Sequence, residues 1–403
     1  MVEVYNKALN QSIVVERIIG KIVGKQKGPI VVYFAGIHGN ETAGVFALKN
    51  VFNIINTKQV KGTVYGVLGN LKALEKHQRY IDQDLNRLWL DVNLKALKEK
   101  TNLNTEENEQ IELFKLLRGV LSHATTPYYF IDLHTTSSKT LPFITINDAL
   151  INRKFSRHFP VPIVLGIEEY LEGPLLSYIN QLGYVSLGFE SGQHDELSAI
   201  SNTIAFVFLS LVFSEILKKE DVLDYQEYYE QLYTGAQKTN DIFEVVYLHK
   251  IKNGDDFRMT PNFKSFQNIK KEKVLAHHNG EAITSIFNAR IFMPLYQTKG
   301  SEGFFIIKEI PSFFLWLSKI LRQVRIDSLL VLLPGISWKN KKEGVLRVNL
   351  KVAKFMVKPI FHLLGYRNKQ FNHSSIWLFN RERTSKKKMY KTQLWYNQRQ
   401  LVK

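Results

Sequence analysis

The sequence feature that most limits the fold is an alternation of short apolar runs with longer mixed segments between residues 14 and about 241. Near-continuous apolar strands of this kind are expected when helices cover both faces of a mostly parallel sheet. The predicted strands are residues 29–36, 63–68, 128–133, 143–146, 162–165 and 184–189. The predicted helices are residues 42–55, 108–124, 174–182 and 198–217. The pattern therefore predicts an α/β domain over residues 1–240.

After residue 241 the pattern changes to short strands separated by turn residues. The predicted strands are residues 243–251, 282–286, 289–295 and 303–310. A small β domain over residues 241–310 fits this pattern. Residues 311–403 hold 20 Lys and Arg against 3 Asp and Glu, so the net charge of +17 lies in this basic, aromatic-rich C-terminal extension. The sequence therefore predicts three parts with different roles.

Composition excludes several classes of site. The 403 residues include no cysteine, which rules out disulfides, thiolate zinc sites, iron–sulfur clusters and thiol nucleophiles. Any bound metal must then be held by His, Asp or Glu. The first twelve residues lack the apolar stretch of a secretory signal, so a cytoplasmic location is expected. The longest apolar stretch, residues 200–213, is too short to cross a bilayer and is predicted to be a buried helix.

The most informative segment, His38-Gly39-Asn40-Glu41, directly follows the strand predicted at 29–36. Ligands collect at the carboxyl ends of strands in open α/β sheets. His38 and Glu41 are three positions apart, so one turn can direct both side chains to the same metal. His134 follows another apolar strand and supplies a second imidazole. Two His and a carboxylate form a catalytic zinc set that leaves a coordination position for water. Taken singly, each motif is better explained by solvated surface residues.

A polar segment between these motifs carries Arg79, Asn86 and Arg87. Guanidinium and amide groups bind carboxylates and stabilise a developing oxyanion. The alternative is a loop whose arginines pair locally with Asp82 and Asp84.

Glu190 follows the strand predicted at 184–189 and lies between glycines. A glutamate beside a zinc-bound water can take its proton and later return it to a leaving amine. The alternative is an exposed loop acid.

Four motifs together resemble the succinylglutamate desuccinylase/aspartoacylase family, relatives of the zinc carboxypeptidases. They are His38-Gly39-Asn40-Glu41, Asp84-Leu85-Asn86-Arg87, Asp132-Leu133-His134 and Glu190-Ser191-Gly192, in the family's order. The resemblance is strong over residues 28–193 and weak up to about residue 310. It implies an α/β fold with a carboxypeptidase-like mixed sheet flanked by helices and a small C-terminal β domain. The basic C-terminal extension has no counterpart in the resemblance.

The resemblance also implies roles for individual residues. His38, Glu41 and His134 are similar to the ligands of one Zn²⁺ per chain, and Glu190 is similar to the general acid/base. In the same way Arg79 resembles the group that polarises the scissile carbonyl. Asp132 is expected to face away from His134, with a role beside the metal only if the strand ends or bends there.

Asn86 and Arg87 resemble the clamp on the substrate carboxylate. Tyr296 is the expected counterpart of a tyrosine that caps the substrate. Animal aspartoacylases carry a further arginine shortly before the acid/base glutamate, and residues 179–186 contain none.

The expected function is a zinc-dependent deacylase that hydrolyses the amide bond of N-acyl amino acids or related carboxylate-bearing small molecules. One alternative is a zinc carboxypeptidase. Another is a binding protein that uses residues 311–403 at an anionic membrane surface, or less favourably at nucleic acid. Lysines at 386–388 and 391 interleave with aromatic residues, and residues 313–321 suit an amphipathic helix. The remaining alternative is a solvated basic face packed on the enzyme.

Overall fold

The computed structural model describes residues 1–97, 99–122, 126–349, 351–352, 357–372 and 375–397. The parts of the predicted helix 108–124 and of the predicted extension 311–403 that fall in the gaps lie outside the described residues. The strands are β1 Val2–Asn6, β2 Gln11–Val15, β3 Ile18–Val23, β4 Gln26–Ala35, β5 Lys61–Leu68, β6 Tyr128–Thr136, β7 Phe143–Ile146, β8 Ile163–Leu165, β9 Val185–Gln193, β10 Ile242–Lys250, β11 Phe257–Met259, β12 Asn268–Ile269, β13 Val274–His278, β14 Glu281–Thr284, β15 Ala289–Phe292, β16 Glu302–Glu309, β17 Ile336–Asn340, β18 Val345–Asn349, β19 Tyr366–Asn372 and β20 Ser375–Asn380.

The α-helices are α1 Ala43–Ile54, α2 Leu71–Glu75, α3 Asp91–Ala96, α4 Thr105–Leu121, α5 Leu150–Ser156, α6 Leu175–Gln181, α7 Leu197–Phe213, α8 Tyr225–Gly235, α9 Ser312–Gln323, α10 Val357–Leu363, α11 Arg381–Thr384 and α12 Leu394–Asn397. Short 3₁₀ helices are Leu85–Arg87, Ile167–Glu169, Lys219–Asp221, Ile326–Leu332 and Lys387–Tyr390. Helix α4 begins earlier than predicted because Asn104 and Glu107 form a capping box at its N-terminus.

The centre of the molecule is an 11-stranded mixed sheet in the order β12-β15-β16-β10-β8-β7-β9-β6-β4-β5-β3. Strands β5, β4, β6 and β9 run parallel to one another, and β7 pairs antiparallel with β9. All six strands predicted in the first 240 residues are present. The prediction of an α/β fold with a mixed sheet flanked by helices is confirmed.

Helices cover both faces of the parallel strands, which explains their continuous apolar sequences. Helices α1 and α7 pack in one apolar cluster with one face of the sheet. Helices α4 and α6 contribute to a second cluster on the other face. Helix α7 contains the predicted buried stretch, and 11 of its 17 residues are buried. Among the described residues, no helix is long and apolar enough to span a membrane.

The segment predicted as a small β domain extends the central sheet. Strand β10 pairs parallel with β8, and β16, β15 and β12 follow outward from it. Strands β11, β13 and β14 form a separate three-stranded antiparallel sheet. The division into residues 1–240, 241–310 and 311–403 stays a prediction, and the sheet runs across the first of its boundaries.

The C-terminal extension contains a four-stranded antiparallel sheet, β17-β18-β20-β19, with an apolar cluster of its own. Residues 387–397 pack on the main core, where Tyr390 and Trp395 are buried. Asp148, in the loop after β7, is contacted by Arg153, Arg322 and Arg367. The extension is therefore packed on the α/β part through buried charges and aromatic rings.

Candidate active site

Three neighbouring parallel strands bring the predicted site together. His38 follows β4, His134 lies near the end of β6, and Glu190 lies in β9. Strand β6 lies between β4 and β9, and His134 is in register with Glu190. Because the carboxyl ends of parallel strands meet at one edge of a sheet, residues 152 positions apart share a single pocket.

His38, Glu41 and His134 form a buried cluster. Nδ1 of His38 lies 2.7 Å from Oε1 of Glu41, and Nδ1 of His134 lies 2.8 Å from Oε2 of the same carboxylate. One ligand atom from each residue lies within 4.8 Å of the others, so the three can hold one metal ion. Glu41 also accepts a hydrogen bond from the backbone N–H of Thr135, which fixes its orientation.

The opposite nitrogens of the two rings face further carboxylates. Nε2 of His38 lies 3.1 Å from Oδ1 of Asp84, and Nε2 of His134 lies 2.8 Å from Oδ2 of Asp132. Such carboxylates place the ring proton on Nε2 and leave Nδ1 free to bind a metal. The expectation that Asp132 faces away from His134 was wrong, because residues two positions apart in a strand share a face.

The electrostatics of the cluster favour a cation. Burial lowers the pKa of His134, but Asp132 and Glu41 outweigh it and raise that pKa well above its ordinary value. Burial raises the pKa of Glu41, but His38 and His134 hold it well below its ordinary value. The ionised carboxylate of Glu41 therefore lies between the two Nδ1 atoms. Two imidazoles and one carboxylate are a donor set of catalytic zinc sites, so the residues fit this metal.

Glu190 lines the same pocket and is buried. Burial, together with the charges of Glu41 and Asp132, raises its pKa to about 8 against the opposing effect of His134 and Arg79. Its Oε2 has no hydrogen-bond partner among the described residues. Glu190 is therefore a buried carboxyl group that can bind a proton and transfer it inside the pocket.

Arg79 extends into the pocket beside this cluster. Its Nη2 donates to Oδ2 of Asp84 at 3.0 Å, and its Nη1 lies 3.7 Å from Oε1 of Glu41. Burial lowers the pKa of Arg79, but the neighbouring carboxylates raise it above its ordinary value. The alternative interpretation of the sequence was that the arginines pair locally with acidic residues, and Arg79 does pair with Asp84. Arg79 also lines the pocket.

Asn86 and Arg87 also line the pocket, but each has a partner from a distant part of the chain. Oδ1 of Asn86 accepts from the N–H of Leu175 at the start of α6. Arg87 donates to Oε1 of Glu302 from Nη2 at 3.0 Å and from Nε at 3.3 Å. A carboxylate of the chain itself, Glu302, therefore occupies the predicted carboxylate clamp, and no local sequence pattern indicates this pairing.

Tyr296 is the predicted site residue that the structure does not bring into the pocket. Its hydroxyl donates to the carbonyl of Thr260 and accepts from the N–H of Phe263. Among the described residues, the neighbouring Gln297 lines the pocket instead, beside His194. A contact of Tyr296 with substrate has no support in this geometry.

The rest of the pocket wall is largely apolar. The apolar lining residues are Ile146, Ile167, Leu171, Leu176, Met293, Leu295 and Phe305. Ser186 lies in the segment where the arginine of animal aspartoacylases is missing, and it lines the pocket too. The pocket therefore joins a charged end at the His–Glu cluster to an apolar wall.

Residues 27–209 match the family model of the succinylglutamate desuccinylase/aspartoacylase catalytic domain. This part of the chain belongs to that family. The family is one of deacylases, and the matched residues include the His–Glu cluster, Arg79, Arg87 and Glu190.

Relatives of this family cover different shares of the chain. A probable aspartoacylase of Acaryochloris marina is 28% identical over 242 residues, which are 56% of this chain and 74% of that protein. A succinylglutamate desuccinylase of Pseudomonas fluorescens is 29% identical over 113 residues, which are 28% of this chain and 32% of that protein. The second match therefore spans about a third of that relative.

Solved structures show the same fold. The crystal structure of a succinylglutamate desuccinylase/aspartoacylase from Rhodobacter sphaeroides covers 72% of this chain and 88% of its own, with a TM-score of 0.55 and 14% identity. The crystal structure of an aspartoacylase family protein from Mesorhizobium loti covers 77% of this chain and 93% of its own, with a TM-score of 0.51 and 14% identity.

Proposed function

We propose that the chain is a zinc-dependent deacylase that hydrolyses the amide bond of N-acyl amino acids bearing a free carboxylate. The observation that carries the proposal is the arrangement of His38, Glu41 and His134. Their ligand atoms converge, both ring Nε2 atoms face carboxylates, and Glu190 lines the same pocket. Zinc binding, the roles of the individual residues and the substrate class all belong to this proposal.

Zinc held by these three residues would supply a Lewis acid and lower the pKa of bound water to about 7. Glu190 accepts the proton of the attacking water at its carboxylate and then donates it to the nitrogen of the leaving amine. The raised pKa of Glu190, about 8, lies close to neutral pH, so the ionised form that accepts the proton and the protonated form that donates it are both accessible.

Two arginines act on the substrate from the same side of the pocket. Arg79 donates from its guanidinium to the carbonyl oxygen on which negative charge develops. Arg87 holds the carboxylate of the amino-acid part through its Nε–Nη2 edge, and Glu302 gives up its bonds to this edge when that carboxylate binds. The apolar wall contacts the remaining acyl or side-chain atoms.

Replacing Glu190 tests the proton transfer separately from metal binding. The Glu190→Gln variant should keep its zinc, because the three ligands are unchanged. Release of free amine from a panel of N-acetyl amino acids should fall by about 10²- to 10⁴-fold, since a general acid/base is lost. Glu220→Gln, an exposed position, is the matched control and should retain full activity. Near-normal turnover in zinc-loaded Glu190→Gln would contradict the assignment.

A further inference from the structure

Helix α9 of the extension packs Leu315 and Leu321 against apolar clusters and turns its aromatic residues outward. Its buried residues are Ser318 and Arg322. Phe313, Phe314 and Trp316 are exposed by 60%, 46% and 55% respectively. A surface helix ordinarily buries its apolar stripe against its own chain. The aromatic face of α9 is therefore left without a partner among the described residues.

Buried hydrogen bonds fix this orientation of α9. Oγ of Ser318 donates to the carbonyl of Leu363 at 2.7 Å, and the guanidinium of Arg322 donates to the same carbonyl. Arg322 also bonds to both carboxylate oxygens of Asp148 at 2.9 and 3.0 Å. Turning the aromatic side inward would break these bonds and expose a buried ion pair, so the exposed rings are a fixed feature of the fold.

A cleft of about 770 Å³ opens beside this face, between α5, α9 and the last helices of the extension. Phe313 and Trp316 form part of its wall. Its two acidic residues, Asp327 and Glu382, are both paired with arginines. The cationic lining residues are Arg153, Lys154, Arg157, Lys319, Arg322, Arg325, Arg383 and Lys387.

Part of the positive charge of the cleft has no counter-charge among the described residues. Arg157, Lys319, Arg325 and Lys387 have no carboxylate within ion-pair distance among the described residues. Burial, followed by the charge of Lys319, lowers the pKa of Lys154 below its ordinary value. The cleft is therefore a region where an anion would relieve repulsion between cations.

We propose that helix α9 and this cleft form a docking site for membranes that contain anionic phospholipid. The phosphate of a lipid headgroup occupies the cationic cleft, and Phe313, Phe314 and Trp316 enter the interface between headgroups and acyl chains. Aromatic side chains favour this interface, and basic pockets beside it bind anionic headgroups. The rings of Phe313 and Trp316 contact each other, with centroids 5.9 Å apart, so they enter as one apolar group.

The structure favours a lipid over nucleic acid at this surface. Tyr390 and Trp395, two of the aromatic residues near the lysines at 386–391, are buried and bonded to the core. Buried rings are not available to stack on bases, which is what the alternative of nucleic-acid binding requires. The exposed aromatic residues instead lie on α9, next to the cleft.

Vesicle flotation with the full chain tests the proposal. The chain should bind phosphatidylcholine vesicles that contain about one third phosphatidylglycerol, and added salt should weaken this binding. Lys319→Gln and Arg325→Gln should each weaken binding about fivefold, the equivalent of about 1 kcal/mol per cation. Trp316→Ser should weaken it further. Lys218→Gln and Leu223→Ser, exposed positions outside the cleft, are the matched controls.

Several outcomes would overturn the proposal. These are no binding to anionic vesicles, equal binding to pure phosphatidylcholine, and equal loss in the control variants. Thermal stabilisation by glycerol phosphate without vesicle binding would assign the cleft to a soluble phosphate compound. Binding of a single-stranded oligonucleotide in place of vesicles would assign it to nucleic acid. Dimer formation that Trp316→Ser abolishes would assign the aromatic face to a second copy of the chain. Amine release is independent of each of these results.

Discussion

The pair between Arg87 and Glu302 gives the sharpest prediction about substrate binding. Both side chains are more than three-quarters buried, and two N–H groups of Arg87 bond to one oxygen of Glu302. A substrate carboxylate that binds the Nε–Nη2 edge of Arg87 must displace this oxygen. The Glu302→Gln variant removes the competing charge and leaves an amide oxygen that can still accept from Arg87.

The expected gain follows from the strength of the displaced contact. A hydrogen bond to a charged group contributes about 1.5–3 kcal/mol. The amide of the Glu302→Gln variant keeps part of this interaction with Arg87, so the gain in substrate binding free energy lies near the lower end of that range, at about 1.5 kcal/mol. The KM for N-acetyl amino acids should therefore fall about tenfold in Glu302→Gln. The KM for the same compounds with the carboxylate blocked as an amide should not change.

Initial-rate kinetics of amine release on both substrate sets would check this. Glu309→Gln, at the exposed far end of strand β16, is the matched control. An unchanged KM for the free acids would mean that their carboxylate does not take the place of Glu302 on Arg87. A higher KM would mean that Glu302 supports substrate binding instead of competing with it. Either result would refute the reasoning.

Three further predictions concern buried charges. Asp132→Asn should weaken zinc affinity about 10- to 100-fold, as measured by competition with a chelator, because the ring of His134 loses its carboxylate partner; unchanged affinity would contradict this. Asp148→Asn leaves three buried arginines without their shared carboxylate and should lower the free energy of unfolding in urea by about 3–5 kcal/mol. A loss below about 1 kcal/mol would show that the arginines find other partners. Burial raises the pKa of Glu168 from 4.5 to about 6, so its ionisation destabilises the fold as pH rises through this range. Between pH 4 and pH 7 the natural chain should lose about 2 kcal/mol relative to Glu168→Gln, and parallel pH profiles would contradict the assignment.

The sequence predicts the central sheet and the metal cluster well because their signals are local. Each strand of the parallel core is a short apolar run, and each implied ligand lies at or just after the end of such a run. The order of the strands then brings His38, His134 and Glu190 to one edge without further information. The contact between Asp132 and His134 could also have been predicted, because residues two positions apart in a strand point to the same face.

The pairs that depend on tertiary structure could not be predicted in this way. Glu302 lies 215 positions from Arg87, and no local pattern connects them. Arg322 and Arg367 lie in a region that the charge count predicts as a solvated basic face, yet both are buried around Asp148. The sheet of the extension was missed because its strands are only five to seven residues long and mix apolar with polar residues.

Zinc content measured beside activity tests the central claim most directly. The purified chain and the His38→Ala variant would be compared by elemental analysis and by release of amine from N-acetyl amino acids. His249→Ala, which alters a histidine outside the pocket, is the control. The account predicts about one zinc per chain and measurable turnover in the natural chain and in the control, with both lost in His38→Ala. Absence of zinc from the natural chain after supplementation, or turnover that survives in metal-free His38→Ala, would contradict it.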